Sequence, residues 1–370
     1  MDLVRTWAIS RKEILQLRRD PRSLAMGFLL PVLLLVLFGY AITWDVREIK
    51  SVIVDQDASR SSRDLAAALR SSGYFEVRAP VGETNEAVAL LDRGTVQLVL
   101  VIPPGFAADL GAGRTAPLQA LVDGSDANTA TIILGYVQAI VQNFAGGRPT
   151  EVRSVPFISA ASRVWYNEEM LSRNMIVPGL IAVIMMIIAA MLTSLTIARE
   201  WERGTMEQLA STPVSRLEVV LGKMLPYLAI GLLDVVITSL VGVTLFGVPF
   251  RGSAAMLMGA SFFFIIGALG LGIFISAATR SQLLATQIAM VATFLPAFLL
   301  SGFMFAIEVM PQTLQLLTRL IPARYFIVVT RGLFLKGVGP SALWAQGLSM
   351  IAFAVIGIAL AVRVFRKELS

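Results

Sequence analysis

The chain contains no cysteine and no histidine. Disulfides, thiolate chemistry and cysteine metal sites are thereby excluded. Histidine proton relays, histidine-ligated zinc and Ser–His–Asp catalysis fall with the imidazole. A third absence is local. No Asp, Glu, Lys, Arg or His occurs in residues 23–44, 174–198, 252–279, 281–307 or 337–362, and 224–250 is interrupted only by Asp234. Crossing a hydrocarbon layer as a helix takes about 20 apolar residues, so each run is long enough to span. Charged residues make up only 15% of the chain, against about a quarter in soluble domains. A soluble protein with several buried helices has no need of such long charge-free runs. The expected class is an α-helical polytopic membrane protein with six transmembrane helices.

Charge then orients the spans. Arg5, Arg11, Lys12, Arg18, Arg19 and Arg22 precede the first run, and Arg199, Arg203, Arg216 and Lys223 lie between the second and third. Arg280 separates the fourth from the fifth, and Arg363, Arg366 and Lys367 follow the sixth. The short stretch after the third run holds only Arg251. The positive-inside rule puts these basic ends, and with them both termini, in the cytoplasm. Arg319, Arg324, Arg331 and Lys336 run against it, in a loop too long to weigh much. The first run starts late and has no small-residue cleavage site after it, so it reads as a retained anchor. The net charge of +6 belongs to these membrane-flanking ends, where cations serve the headgroup interface and call for no nucleic acid.

The organisation that follows is a cytoplasmic amphipathic helix over 1–22, a first span over 23–44, an extracytoplasmic domain over 45–174, and spans two to six over 175–370. Leu3, Trp7, Ile14 and Leu17 fall on one face of the first helix, which suits the inner membrane surface. Asp20-Pro21 turns the chain into the first span, because the residue before proline disfavours the helical region. Within 45–174, strands at 49–54, 75–77, 97–102 and 118–122 alternate with helices at 63–71, 84–92 and 127–143, and 151–156 is a return segment. That alternation predicts an inserted α/β domain. No glycine-rich phosphate loop follows its first strand. Asp55, Asp57, Asp123 and Asp126 could hold calcium, but turn and cap positions account for them more simply. Gly267, Gly270 and Gly272 predict close helix approach in span four. Residues 308–336, apolar between their charges, suit segments dipping into the outer interface.

Two features could carry function. Asp234 sits in mid-span, where a carboxylate costs roughly 2.5–3.5 kcal/mol and must face protein or water. It could contact a cation or substrate or serve an ion relay, or make an intersubunit or interhelical bond to Thr238, Ser239 or a neighbouring span; the lack of His, Lys or a second buried carboxylate to form a relay favours the bond. The inner stretch 199–223 is sharper. Glu202 and Arg203 pair charge, Gly204 permits a turn, and Thr205 caps a short helix with Gln208 three residues on. Leu209 supplies an apolar knob beside Met206 and Glu207. A short charged helix around an apolar knob is suited to docking in a groove of a cytosolic partner.

These residues carry a family resemblance. Arg11-Lys12-Glu13 and Arg18-Arg19-Asp20-Pro21-Arg22 resemble the connecting helix of ABC-2 type exporter permeases, the bacterial drug-efflux group with a large outer domain between spans one and two. Val54-Asp55-Gln56-Asp57 with Ala58-Ser59-Arg60 resembles the start of that outer domain. Glu202-Arg203-Gly204-Thr205-Met206-Glu207-Gln208-Leu209 resembles the coupling segment. Pro322, Arg324-Tyr325 and Arg331-Gly332 resemble the last outer loop. The resemblance spans essentially the whole chain.

It implies a membrane subunit of the bacterial inner membrane that pairs with a second copy or a close homologue. ATP and Mg²⁺ would be bound by separate cytosolic P-loop ATPase subunits, and a periplasmic adaptor would be a further partner. The sequence agrees on one point: its Gly222-Lys223-Met224 lacks both the loop glycine and the hydroxyl residue of G-x-x-x-x-G-K-[ST], so the chain holds no nucleotide by a P-loop. Apolar spans without a cationic cluster favour hydrophobic, amphiphilic or cationic cargo. The rivals are a periplasmic enzyme, short of catalytic groups; a sensing receptor or scaffold, short of a cytosolic domain; and an ABC exporter of ions or lipid-linked molecules.

Overall fold

The computed structural model describes residues 2–42, 48–78, 82–125, 127–146 and 171–365. The expected return segment 151–156, and Asp126, Arg366 and Lys367, lie outside the described residues. The chain divides into two compact units, Met1–Ile42 with Val164–Ser370, and Thr43–Arg163.

The helical unit opens with α1 (Leu3–Arg18), whose first turn is capped by the Asp2 carboxylate accepting the Val4 N–H at 2.9 Å. The Asp20 carboxylate starts the next helix by accepting the Ser23 N–H at 3.2 Å and hydroxyl at 2.7 Å. That helix is α2 (Pro21–Leu24), a π-helical turn (Ala25–Leu29) and α3 (Leu30–Ala41) in succession. The π turn has a local cause: Pro31 has no N–H to donate and its ring crowds the preceding turn, so the ladder widens just before it. The first apolar helix ends at Ala41, three residues short of the expected 44, where Ile42 takes an extended backbone.

In the second unit the order is β1 (Ile49–Asp55), α4 (Arg60–Ser71), β2 (Phe75–Val77), α5 (Thr84–Asp92), β3 (Leu98–Ile102), α6 (Phe106–Gly111), β4 (Gln119–Val122) and α7 (Ala127–Gly146). The sheet order is β2-β1-β3-β4, parallel except for β4 against β3. Strand residues alternate between two cores. Ile49, Ile53, Leu98, Leu100 and Ile102 pack with Leu65, Leu69 and Ile133 from α4 and α7, while Val52, Val54, Val99 and Val101 pack with Ala87 from α5. Burial on both faces is why β1 and β3 read as continuous apolar runs. Helix α6, absent from the expected elements, begins at Gly105 with φ of +85°, a backbone that glycine adopts without strain.

The helical unit resumes with α8 (Ser172–Glu202), α9 (Met206–Ala210), α10 (Arg216–Thr244), α11 (Ala254–Thr279) and α12 (Gln282–Leu299). A 3₁₀ turn (Ile307–Val309), α13 (Gln312–Thr318), α14 (Pro322–Arg331), a π turn (Gly332–Lys336) and α15 (Pro340–Val364) complete it. Five of these, α8, α10, α11, α12 and α15, are long and apolar enough to cross a membrane, and Ala25–Ala41 is a shorter apolar helix. Helix α12 ends at Leu299, seven residues before the expected 306.

Helix α8 is the centre of the unit: 89% of its most apolar window is buried, against 22% for α12 and for α15. Small residues bring α11 close on both sides. A Cβ at Gly270 would stand 2.5 Å from the Gly357 carbonyl carbon of α15, and one at Gly272 would overlap the Thr193 hydroxyl of α8. Hydroxyls then stitch the pair: Thr193 donates to the Leu269 carbonyl at 3.0 Å, and Ser276 accepts the Ala198 N–H at 2.9 Å. In a bundle without water, such bonds and close packing replace the hydrophobic drive between helices.

Candidate coupling site

The geometry of the site begins where α8 runs past its apolar stretch into Arg199, Glu200, Trp201 and Glu202. Gly204, with φ of +69°, reverses the chain. Helix α9 follows, and Ser215 with Glu218 forms a capping box that starts α10. Two turns later α10 presents Lys223, buried like Glu200 and like Glu13 of α1.

These three groups meet. The Lys223 ammonium donates to the Glu13 carboxylate and, at 3.2 Å, to Glu200 Oε1. Lys12 donates to the same Glu200 oxygen at 2.9 Å, and the Thr205 hydroxyl donates to the other. Tyr227, one turn beyond Lys223, is buried beside the same cluster. Two ammonium groups and two carboxylates leave no net formal charge in the cluster. That balance matters, because a buried charge without its partner costs several kcal/mol.

Further links tie both ends of α1. The Asp2 N–H donates to Glu218 Oε1 at 2.6 Å, while Ser215 N–H donates to its other oxygen at 2.8 Å. Arg5 donates to the Pro213 carbonyl, and Arg199 pairs with Asp20 at 3.2 Å. Gly222 makes the approach possible. A Cβ there would sit 2.8 Å from Ile9 Cβ and 2.9 Å from the Thr6 carbonyl oxygen.

The inward stripe of α1 is Thr6, Ser10, Glu13 and Leu17. This corrects the expected apolar face. Leu17 turns inward while Leu3 and Trp7 turn outward, 75% and 60% exposed. The physical reason is Lys223 and Glu200: a wall carrying buried charge accepts Glu13 and leaves the apolar residues to the outside.

The expected coupling residues divide. Glu202 accepts the Gln282 N–H at 2.7 Å and the Gln282 side-chain amide, so it caps the start of α12, where an anion is favoured by the exposed N–H groups. Arg280, in a left-handed backbone at φ 55°, stacks its guanidinium 4.4 Å from the Trp201 ring. Met206 is the buried apolar anchor of the turn, and Leu209, the expected knob, is half-buried. Arg203, Glu207 and Gln208 are exposed. Of the expected connecting residues, Lys12, Glu13 and Asp20 join the cluster or its flank, Pro21 opens α2, and Arg11 and Arg19 are exposed. Glu200, Glu218, Lys223 and Tyr227 carry most of the geometry. The available signal for Lys223 was a lone cation at the mouth of an apolar run.

Asp234 stands apart. It is 1% exposed, and among the described residues neither carboxyl oxygen has a hydrogen-bond partner. The expected bonds to Thr238 and Ser239 are not made. Thr238 donates instead to the Asp234 backbone carbonyl at 2.6 Å, and the Ser239 hydroxyl is itself unpartnered.

In the α/β unit the aspartates act as caps. Asp57 accepts the Gly105 and Ala107 N–H groups at 2.8 and 3.1 Å, starting α6, and Asp55 accepts the Ser62 hydroxyl at 2.7 Å. The bond from Ser59, with those backbone N–H groups, holds the Asp57 carboxyl below its usual range. Asp123 is lowered likewise by Ser125. No group of three metal-ligating side chains occurs among the described residues.

The family model for ABC-2 family transporter proteins matches residues 21–363. The probable multidrug ABC transporter permease YbhS of Escherichia coli (strain K12) is 39% identical over 360 residues, covering 96% of this chain and 95% of that protein. The probable multidrug ABC transporter permease YbhR of the same strain is 30% identical over 372 residues, 98% of this chain and 99% of that protein. ABC transporter G family member 20 of Dictyostelium discoideum is 22% identical over 99% of this chain, which spans 51% of its length.

Proposed function

This chain belongs to the ABC-2 family of transporter membrane subunits, and from that premise we propose that it is the permease half of an inner-membrane multidrug exporter, driven through the ion cluster around Lys223. It is a transport permease without a P-loop of its own; ATP and Mg²⁺ are bound on separate cytosolic subunits. Six spans are counted by adding the helix through Ala25–Ala41 to the five long ones. Both termini and α9 then face the cytoplasm and the α/β unit faces outward, as the basic residues favour.

The observation that carries this reading is the charge-balanced cluster in which buried Glu13, Lys223 and Glu200 are completed by the more exposed Lys12. It joins α1, α8 and α10 at the end where α9 turns the chain. Force applied at α9 or α1 therefore moves the ends of two spans together. Glu202, bonded to Gln282, extends the linkage to α12. Closure of two ATPase subunits would rock these helices and open a path between two permease copies, whether identical or closely homologous. An adaptor on the outer unit would complete the export route.

The relatives' multidrug descriptions and the apolar spans support hydrophobic, amphiphilic or cationic cargo. Extraction in nanodiscs should recover a P-loop ATPase with the chain, and drug addition should raise its turnover. Recovery of the chain with no ATPase, under conditions that keep the bilayer around it, would sink the proposal.

A further inference from the structure

Beside the coupling cluster, between α1, the start of α2 and the end of α8, runs an open groove of about 1320 Å³. Its cations fall into two groups. Lys12 and Arg199 are neutralised by Glu200 and Asp20. Arg11, Arg19 and Arg203 also line the groove, are exposed, and have no ion pair among the described residues. The lining also carries apolar side chains, Trp7 and Leu15 of α1 and Met26 and Leu195 of the spans, beside the polar Gln16, Ser23 and Gln282.

A ligand for this groove must match both characters. Three unpaired guanidinium groups call for an anion, and planar forks of N–H donors suit phosphate oxygens. A small anion would leave the apolar side chains uncovered, and the groove exceeds the roughly 300–1,000 Å³ of sites for drug-sized ligands. Helix α1 also turns Leu3, Val4, Trp7 and Leu15 outward, 75%, 76%, 60% and 47% exposed, which is the arrangement of a helix lying in the headgroup layer. We infer that the groove binds an anionic phospholipid, its headgroup phosphate on Arg11, Arg19 and Arg203 and its acyl chains along Met26 and Leu195. The leaflet follows from the proposed orientation, but the contacts do not depend on it or on the ATPase.

Such a lipid would hold α1 against the bilayer while the ion cluster holds it against α10. The test is lipid retention by the full chain in native mass spectrometry, titrated with phosphatidylglycerol and with phosphatidylcholine. Phosphatidylglycerol should be retained preferentially. Since each surface cation contributes about fivefold, the triple variant Arg11→Gln, Arg19→Gln, Arg203→Gln should lose on the order of a hundredfold. The matching Arg→Lys triple should keep the preference, showing that a folded chain is being read. Arg60→Gln, Arg70→Gln, Arg93→Gln, the same charge change in the α/β unit, should leave it intact. Equal retention of both lipids, survival of the preference in the first triple, or its loss in the last would overturn the inference. So would displacement of the lipid by millimolar inorganic phosphate, which would identify a free-phosphate site.

Discussion

Replacing Lys223 with methionine tests the coupling cluster most directly. The substitution keeps the length and apolar stem of the side chain but removes the ammonium group that Glu13 and Glu200 share. Glu13 then has no cation, and Glu200 has only Lys12, whose side chain is 55% exposed. Breaking a buried pair from one side costs about 3–5 kcal/mol, and at 1.4 kcal/mol per decade the ratio of docked to undocked α1 falls by a factor on the order of a hundred or more. Removing all three buried charges, as Glu13→Met, Lys223→Met and Glu200→Met, leaves no carboxylate unpaired, and the cost should fall to about 1 kcal/mol or less. Lys12 returns to water, and Thr205 can turn its hydroxyl to the Glu200 carbonyl, already 3.4 Å away. Because the chain has no cysteine, spin labels at Leu15→Cys and Leu217→Cys report the α1–α10 distance cleanly. Lys223→Met should broaden that distance distribution and lower the melting temperature, the triple should restore both, and drug-stimulated ATPase activity should follow the distance. A Lys223→Met chain indistinguishable from the parent, or a triple as damaged as the single, would refute the reasoning.

Three further outcomes follow from particular contacts. Gly222→Val should push α1 off α10, at a cost of about 1–3 kcal/mol, because the new Cβ meets the Thr6 backbone oxygen as well as Ile9; an unchanged Leu15–Leu217 label distance would count against it. Glu202→Ala should speed hydrogen exchange in the first turn of α12 by removing the acceptor for Gln282, while the amides of α10 stay protected; equal exchange in both proteins would show that the cap is not what holds that turn. Asp234→Leu should leave thermal stability unchanged or raised, since a buried carboxyl without a partner is replaced by a side chain that needs none. A loss of more than about 2 kcal/mol would mean that the carboxyl is held by a group outside this chain.

Much of the architecture was legible because its causes are local. Charge-free runs longer than 20 residues have few alternatives to a spanning helix, and strands buried on both faces announce themselves as Val, Ile and Leu. Helix α6 escaped because its start depends on a left-handed Gly105 and on Asp57, 48 residues away. The glycines of α11 predicted close packing, and their partners proved to be Phe353 and Gly357 of α15 and Thr193 of α8.

The stretch 199–223 was recognisable as a structured turn between two helices, but which of its side chains are buried was not. Met206 and Leu209 lie three residues apart on one short helix, and nothing in the local pattern says which is buried. Glu202 looked like a docking charge until Gln282, 80 residues on, came to lie against it.

What the sequence determined alone is that the chain spans a membrane, carries an inserted α/β unit and holds no P-loop nucleotide, since these depend on composition, periodicity and a motif's absence. Tertiary structure decided which charges are paired. Lys223 and Glu13 are 210 positions apart, and only the close approach at Gly222 turns an isolated cation and an unremarkable acid into a single buried group. The same tertiary packing buries Asp234 with no hydrogen-bond partner for its carboxyl among the described residues.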